Sequence, residues 1–224
     1  MEKQPCRIAI VGSYNPARAQ ELQLKNVEIA SKAAEDIGRT LAKKGYNIIV
    51  YSDYKYLFEV DVIRGYTKVV EDKPGCIEVR YPTSSPEPKY AEQKPEDPRF
   101  LFLPDVNTNW EISFYRSIAE IDGMILMGGG PSTLIAGIVA LGHKKPIVVC
   151  AGFGGQARKV WEALISQTGP DLRDKMLRMS AEGWTENSAE RLISLMDLQI
   201  QKRDQEEIAQ HDACLLYTSD AADE

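Results

Sequence analysis

Three short apolar segments of this sequence each run into glycine, and this arrangement restricts the fold more than any other feature. Residues 7–11 are followed by Gly12 and Ser13, residues 123–127 by three glycines, and residues 146–150 by AGFGG. Each segment has the length and the aliphatic content of a buried strand. A helical pattern follows the second and the third. Repeated strand–glycine–helix units of this kind predict parallel strands that are covered by helices.

The pattern between these segments agrees with an α/β chain. A helix is predicted before Gly45 from apolar residues at helical spacing, which are Val27, Ala30, Ala34, Ile37 and Leu41. Residues 47–51 (NIIVY) form the next predicted strand. A β-α-β order of this kind requires a parallel pair with a right-handed crossover. We therefore predict one α/β domain, a three-layer sandwich with a mostly parallel sheet.

Composition excludes several classes of function. The 224 residues include 27 basic and 33 acidic side chains, a balance that argues against binding to nucleic acid. No apolar run approaches the roughly 20 residues of a membrane span, and the start MEKQP lacks a signal-peptide core, so we expect a cytoplasmic protein with no membrane partner. With His143 and His211 as the sole histidines and no C-x-x-C spacing, we expect no metal site and no cofactor.

The C-terminal segment is expected to differ in origin from the rest. Residues 214–224 (CLLYTSDAADE) correspond to a translated sequencing-library adapter, so we treat them as an artefact and expect the natural gene to continue beyond about Ala213. Before them, residues 201–213 are almost wholly polar and predict a helical linker to a missing C-terminal region. The domain itself is expected to span residues 1–200.

The glycine-containing strand ends predict a ligand site. In sheets of this class, ligands bind beyond the carboxyl ends of the strands, where glycine lets backbone N–H groups approach an anion. The sequence contains neither the P-loop pattern nor G-x-G-x-x-G. Aromatic side chains beside the glycines could stack on a base or belong to the core. The predicted binding residues are Gly12, Ser13, Tyr14, Gly128, Gly129, Gly130, Ser132, Thr133, Gly152, Phe153, Gly154 and Gly155.

Three of these motifs together resemble a known group. VGSYN, IDGMILMGGGPST and KKPIVVCAGFGGQA are similar, in order and placement, to the motifs of the SLOG superfamily, which contains Rossmann-like sensor domains and LOG-type nucleotide enzymes. The resemblance spans about residues 7–165 and implies a Rossmann-like fold. It also implies a nucleotide-derived ligand, and association into a homo-oligomer through helices.

The LOG signature is incomplete in this chain. Its P-G-G-x-G-T-x-x-E pattern places the glycine pair on Gly129 and Gly130, whereas its acidic position falls on Ala136. Its arginine position falls on Ser113, with Arg116 nearly one turn further along. The phosphate-binding part of the pattern is thus retained without its carboxylate. This favours a sensor that binds an NAD-related or cyclic nucleotide and controls a fused effector in a bacterial conflict or defence system, with Arg116 as a phosphate ligand.

Enzymatic alternatives stay open at this point. Glu59, Asp61 and Glu111 are candidate catalytic carboxylates, although acids at these places also complement helix dipoles or lie on solvated faces. Any of them would permit a LOG-like nucleoside 5′-monophosphate phosphoribohydrolase. GIVALGHKKPIVV (137–149) also resembles nucleoside 2-deoxyribosyltransferases, and a ligand-free scaffold is a further possibility. The segment TSSPEPKYAEQKPED (83–97) predicts a surface excursion, either a lid or an ordinary exposed loop.

Overall fold

The computed structural model describes residues 4–181 and 183–220 of the chain. Its strands are β1 (Arg7–Ser13), β2 (Asn47–Val50), β3 (Ile77–Pro82), β4 (Phe100–Asp105), β5 (Gly123–Gly128) and β6 (Ile147–Val149). Its helices are α1 (Ala19–Leu22), α2 (Val27–Lys43), α3 (Phe58–Thr67), α4 (Trp110–Ile118), α5 (Pro131–Gly142), α6 (Gly155–Gln167), α7 (Pro170–Ala181) and α8 (Ser188–Asp220). Short 3₁₀ turns lie at Pro16–Arg18 and Ala151–Phe153.

The strands form one sheet in the order β4-β3-β2-β1-β5-β6. All five pairings are parallel, so the sheet is more regular than the mostly parallel sheet that we predicted. The strand order reverses between β1 and β5, where the chain returns from one flank of the sheet to begin the other. Ligands bind at such a reversal in open parallel sheets. The topology therefore places the candidate site at the carboxyl ends of β1 and β5.

Helices cover both faces of the sheet, as the three-layer prediction requires. On one side, α2 packs along α3, and α2 also contacts α8. On the other side, α5 packs against α6 and α4. The strands between these layers are buried, and Ile8, Ile10 and Ile48 are wholly inaccessible to solvent. Burial on two faces explains why the strand segments are continuous apolar runs without alternation.

The segment between β3 and β4 is a crossover and not a free surface loop. Because β3 and β4 are parallel, the chain must return along the whole length of the sheet between them. It does so without a helix, and Tyr90 is buried with its ring stacked on Phe100, the centroids 5.8 Å apart. Near its end, Arg99 forms a buried ion pair with Asp97, the Nη2–Oδ2 distance being 2.6 Å. The predicted surface excursion is observed, since residues 83–87 and 94–96 are exposed, while Tyr90 and Asp97 fix the segment against the domain.

The Asp97–Arg99 pair also joins the crossover to α3. The Arg99 guanidinium donates to the backbone carbonyls of Val70 and Thr67, beyond and at the end of that helix. The same guanidinium holds the pKa of Asp97 at about 2, below its usual range. A lowered carboxyl pKa stabilises the fold above about pH 4, and this contribution is lost as the pH falls towards about 2. The end of the crossover is therefore firmly anchored at neutral pH.

The C-terminal helix belongs to the domain beyond the predicted boundary at residue 200. In α8, the side-chain amide of Gln199 pairs with both backbone groups of Ile147 in β6, at 2.8 Å each. Arg203 donates to the carbonyl of Asp122, just before β5. The helix runs through residues 201–220 without a break, and residues 221–224 lie outside the described residues. The adapter origin of residues 214–224 stays a prediction.

Candidate functional site

A cavity of about 560 Å³ opens at the carboxyl edge of the sheet, at the reversal of the strand order. Its floor is formed by the ends of β1, β2 and β3, and its sides by the first turns of α4 and α5. The crossover closes a further side with Ser85, Pro86 and Pro88. Six of the predicted site residues line it: Gly12, Ser13, Glu59, Gly130, Ser132 and Thr133.

The first turn of α5 provides the anion-binding elements of the cavity. Gly130 precedes the helix with φ −105°, and Pro131 occupies its first position, where no N–H is needed. Thr133 N–H is engaged with the Gly130 carbonyl at 3.0 Å, whereas Ser132, at the second position, has no acceptor within the helix. The Ser132 and Thr133 side chains add hydroxyl donors. An anionic group placed here would also be stabilised by the helix dipole.

Gly128, which ends β5, and Gly129, which follows it, serve packing instead. Gly129 has φ +75°, and a Cβ built on it would lie 2.0 Å from Thr133 Oγ1. Its N–H donates to the Ser13 carbonyl at 2.8 Å, so it offers no donor to a ligand. Gly128 has φ +59° and approaches the same carbonyl. Neither glycine lines the cavity, although both were predicted to do so.

The backbone N–H groups of the glycine-containing segment after β6 are also hydrogen-bonded within the protein. The N–H groups of Phe153, Gly154 and Gly155 donate to the carbonyls of Cys150, Ala151 and Gln23. A Cβ at Gly155 would lie 2.4 Å from the carbonyl carbon of Gly128, so this glycine allows the two strand ends to meet. None of residues 152–155 lines the cavity. The predicted convergence of three glycine loops on one ligand thus reduces to two loops.

The predicted aromatic residues belong to the core. Tyr14 and Phe153 are 7% and 4% exposed, and both pack within the main hydrophobic cluster. Tyr51 at the end of β2 and Phe114 in α4 line the cavity in their place, with their rings edge to face at a centroid distance of 4.6 Å. Trp110 adds a half-exposed ring at the same side. These side chains provide apolar contacts for a planar ligand group.

Glu59 is the candidate catalytic carboxyl that the structure places in the cavity. It is 4% exposed, and its two oxygens accept hydrogen bonds from the backbone N–H groups of Tyr51 at 2.8 Å and Ser52 at 2.9 Å. Burial raises its pKa to about 8 against the effect of these two donors, with a smaller contribution from the charge of Asp53. Burial thus favours the protonated form of this side chain, whereas the two N–H donors favour its ionised form.

The other predicted charged residues lie elsewhere. Asp61 is buried against Arg64 within α3 and does not line the cavity. Glu111 and Arg116 border a separate surface groove with His143, and Arg116 forms a 3.5 Å ion pair with Asp105 while remaining 60% exposed. The side chains of Glu59 and Asp61 point in different directions, because each residue of a helix is rotated by about 100° from the one before it.

Two arginines that the sequence did not single out line the cavity. Arg18, half-exposed, is paired with Glu21 through Nε and Nη2 at 3.0 and 2.7 Å. Arg80, largely buried at the end of β3, donates to Glu78 and Glu120, whereas its Nε has no partner among the described residues. Neither arginine stands in a glycine motif, and the place of Arg80 depends on the sheet order, which sets β3 beside β2.

Two further properties concern the described residues as a whole. They contain no cluster of three or more His, Cys, Asp or Glu side chains arranged to hold a metal ion. None of the helices in this part of the chain combines the length and the apolar character needed to cross a bilayer.

Comparison with solved structures supports the architecture. The fold is similar to the X-ray structure of TM1055, with a TM-score of 0.50 and 19% identity over 74% of this chain and 83% of that one. It is also similar to the Moco carrier protein from Chlamydomonas reinhardtii, with a TM-score of 0.50 and 15% identity over 72% of this chain and 85% of that one. No protein-family model and no curated protein matches the sequence. At these identities the likeness concerns the fold alone, and it confirms the predicted Rossmann-like three-layer sandwich.

Proposed function

We propose that this chain binds a nucleotide-derived small molecule in the cavity at the β1–β5 reversal and does not cleave it. The observation that carries the proposal is the meeting of Gly12, Ser13 and the first turn of α5 in one cavity. This end suits a phosphate, and the aromatic side chains beside β2 and α4 suit a base. The Moco carrier protein, named for the cofactor it carries, has a similar fold, which agrees with a binding role.

The absence of cleavage follows from the acids available. Hydrolysis of an N-glycosidic bond needs an ionised carboxylate near the sugar carbon. In α5, the position of the LOG acid is Ala136, which is fully buried. Glu59 lines the cavity, but its burial, which raises its pKa to about 8, opposes the ionised form that this role needs. An intact ligand is therefore the expected outcome.

One observation favours a second function. Asp53 also lines the cavity, is exposed at its rim, and accepts a hydrogen bond from the Lys89 N–H at 2.9 Å. A buried acid and an exposed carboxylate in one cavity can divide the roles of proton donor and cation stabiliser. A LOG-like phosphoribohydrolase built on Glu59 and Asp53 is thus the alternative. It would differ from the LOG pattern in the source of both acids.

One incubation separates the two functions. The purified chain is mixed with nucleoside monophosphates, NAD, ADP-ribose and cyclic nucleotides, and retained and free molecules are quantified by mass spectrometry. An intact ligand retained by the protein, with no base released, supports binding. Release of free base, abolished by Asp53→Asn, would establish the hydrolase instead. Retention of none of these ligands would contradict both functions.

The proposal also includes an effector and a homo-oligomer. A sensor of the SLOG type acts through an effector, in the bacterial conflict or defence setting that the resemblance implies. Sequencing the natural locus tests the idea, and a locus that encodes no effector together with this chain would contradict it. The homo-oligomer implied by the resemblance is tested by light scattering of the purified chain.

A further inference from the structure

We infer that Arg18 binds the terminal phosphate of the ligand and that Glu21 competes with this phosphate for the Arg18 guanidinium. The inference rests on the proposed function and narrows its ligand class to nucleotides with a terminal phosphate monoester, as opposed to cyclic nucleotides and to those whose phosphates are all bridging. It gives Arg18 the role that the sequence analysis assigned to Arg116, which borders a separate groove.

The segment that carries Arg18 is held beside the anion-binding turn of α5. Arg18 ends a 3₁₀ turn directly before α1, and it lines the cavity. About one turn further along, Leu22 approaches the start of α5, since its Cδ2 lies 3.6 Å from the position of a Cβ built on Gly130. The Gln23 carbonyl accepts the N–H of Gly155 at 3.1 Å and ties the same segment to the start of α6. The segment is therefore fixed close to the proposed phosphate position.

Arg18 and Arg80 are the cations that line the cavity among the described residues, and they differ in how easily they can change partners. The side chain of Arg80 is 12% exposed and pairs with Glu78 and Glu120 at 3.0 and 2.7 Å. Withdrawing it would weaken the pairing of the buried Glu78 carboxylate, which is costly. The side chains of Arg18 and Glu21 are 52% and 63% exposed, and a surface pair of this kind contributes little to stability. Arg18 is therefore the cation that a ligand can recruit.

Glu21 and a phosphate would use the same face of the Arg18 guanidinium. The pair with Glu21 joins Nε and Nη2 to the two carboxylate oxygens, at 3.0 and 2.7 Å. This fork also matches two oxygens of a phosphate, which carries more charge than a carboxylate. One fork cannot hold both partners in this way. Binding of the phosphate therefore requires that Arg18 leave Glu21.

The number of free phosphate oxygens determines the ligand class. A terminal phosphate monoester has three of them, and two accepted by Arg18 leave one for the turn of α5. Ser132 and Thr133 provide hydroxyl donors in that turn. A cyclic or bridging phosphate has two free oxygens, so contact of both with Arg18 turns its ester oxygens, which are weaker acceptors, towards α5. The terminal monoester is thus the group that satisfies both walls of the cavity.

The test measures affinities by isothermal titration calorimetry on the full chain. The probes are AMP, GMP, CMP and UMP, with the matching nucleosides and 3′,5′-cyclic nucleotides, and also NAD and ADP-ribose. The variants are Arg18→Ala and Glu21→Gln. Arg158→Ala is the matched control, because Arg158 is a half-exposed arginine that pairs with Glu162 at 3.2 Å within α6 and does not line the cavity.

We expect at least one monophosphate to bind about tenfold or more tightly than its nucleoside and its cyclic form. Arg18→Ala should lower the affinity for this monophosphate by about tenfold and that for the nucleoside by less than about twofold. Glu21→Gln should raise the affinity for the monophosphate by about threefold, because the competing carboxylate is removed. Arg158→Ala should leave all affinities unchanged.

Four results would overturn the inference. An unchanged monophosphate affinity in Arg18→Ala would show that Arg18 is not a phosphate ligand, and an equal loss for the nucleoside would place its effect away from the phosphate. An affinity that does not rise in Glu21→Gln would contradict the competition. Cyclic nucleotides, NAD or ADP-ribose that bind as tightly as the monophosphates would contradict the ligand class.

A different result would contradict the proposed function itself. If none of the probes binds to the wild-type chain, the cavity does not take a nucleotide-derived ligand of these kinds. Binding of a cyclic nucleotide or NAD without any monophosphate would leave the proposed function intact and remove only the role of the terminal phosphate. The two failures are therefore distinguishable.

Discussion

The segments at the ends of β5 and β6, GGGPST and AGFGG, look alike in sequence but have different roles in the structure. After β6, three consecutive N–H groups are bound to carbonyls of the protein, and Gly155 lets the backbone of Gly128 approach. After β5, Gly130 and Ser132 border the cavity at a helix start. Glycine permits close approach in both segments, at Gly155 to a neighbouring strand end and at Gly130 to the cavity. The hydrogen-bond partners of the amides distinguish the two roles.

The largest effect that sharpens this comparison is expected for Gly155→Ala. The residue has φ +65°, and the new Cβ would lie 2.4 Å from the carbonyl carbon of Gly128. The left-handed conformation and the displaced backbone together should lower the free energy of unfolding by about 3 kcal/mol or more. Urea denaturation measures this loss. A loss below about 1 kcal/mol would show that the two strand ends separate easily, and the packing role would be wrong.

Gly130→Ala should leave the stability almost unchanged and weaken nucleotide binding. Its effect on free energy should be smaller than that of Gly155→Ala. Its φ of −105° suits alanine, and the nearest atom to the new Cβ is Leu22 Cδ2 at 3.6 Å. Stability should therefore change by less than about 1 kcal/mol. Because the Cβ occupies the anion-binding end, nucleotide affinity should fall about tenfold, equivalent to about 1.4 kcal/mol. Calorimetry with the ligand retained by the wild-type chain checks this, and unchanged affinity would remove Gly130 from the site.

Gly152→Ala is the matched control and should have the smallest effect. No heavy atom lies within 4 Å of the position of its Cβ, and its φ lies outside the left-handed region. Stability should stay within about 0.5 kcal/mol of the wild type, with nucleotide affinity unchanged. The same denaturation and calorimetry series measures both. A clear loss of binding here would place the β6 segment in the site and break the comparison.

The strands and most helices were predictable because burial on two faces leaves a strong pattern. The runs ending at Val11 and Met127 lie within β1 and β5, and Gly45 follows α2 with φ +77° as a C-terminal stop does. The sequence analysis missed α7, whose segment PDLRDKMLRMSA has few apolar residues, with Met176 buried. The tethers of the crossover, such as Asp97–Arg99, were not predictable because they have no periodicity.

Site residues were predictable where a suitable side chain also stands between a strand and a helix. Ser132 and Thr133 follow a strand and start a helix, and both line the cavity. Arg80 was not predictable in the same way, because its place in the cavity depends on which strand lies next to β2. Glu59 and Asp61 looked equivalent in sequence, and the direction of each side chain on α3 decides which one meets the cavity.

The helix-free crossover has a consequence for how this protein can evolve. One end of the segment forms a wall of the cavity, and the other end delivers β4 in register with β3, as in the pairing of Ile77 with Phe100. Exposed residues 94–96 lie between the two ends and can absorb a change in length, whereas a shift beyond Asp97 and Arg99 would turn the side chains of β4 to the wrong face. Natural variation in length should therefore be confined to the part of the crossover before Asp97, and the part after it should vary by substitution alone.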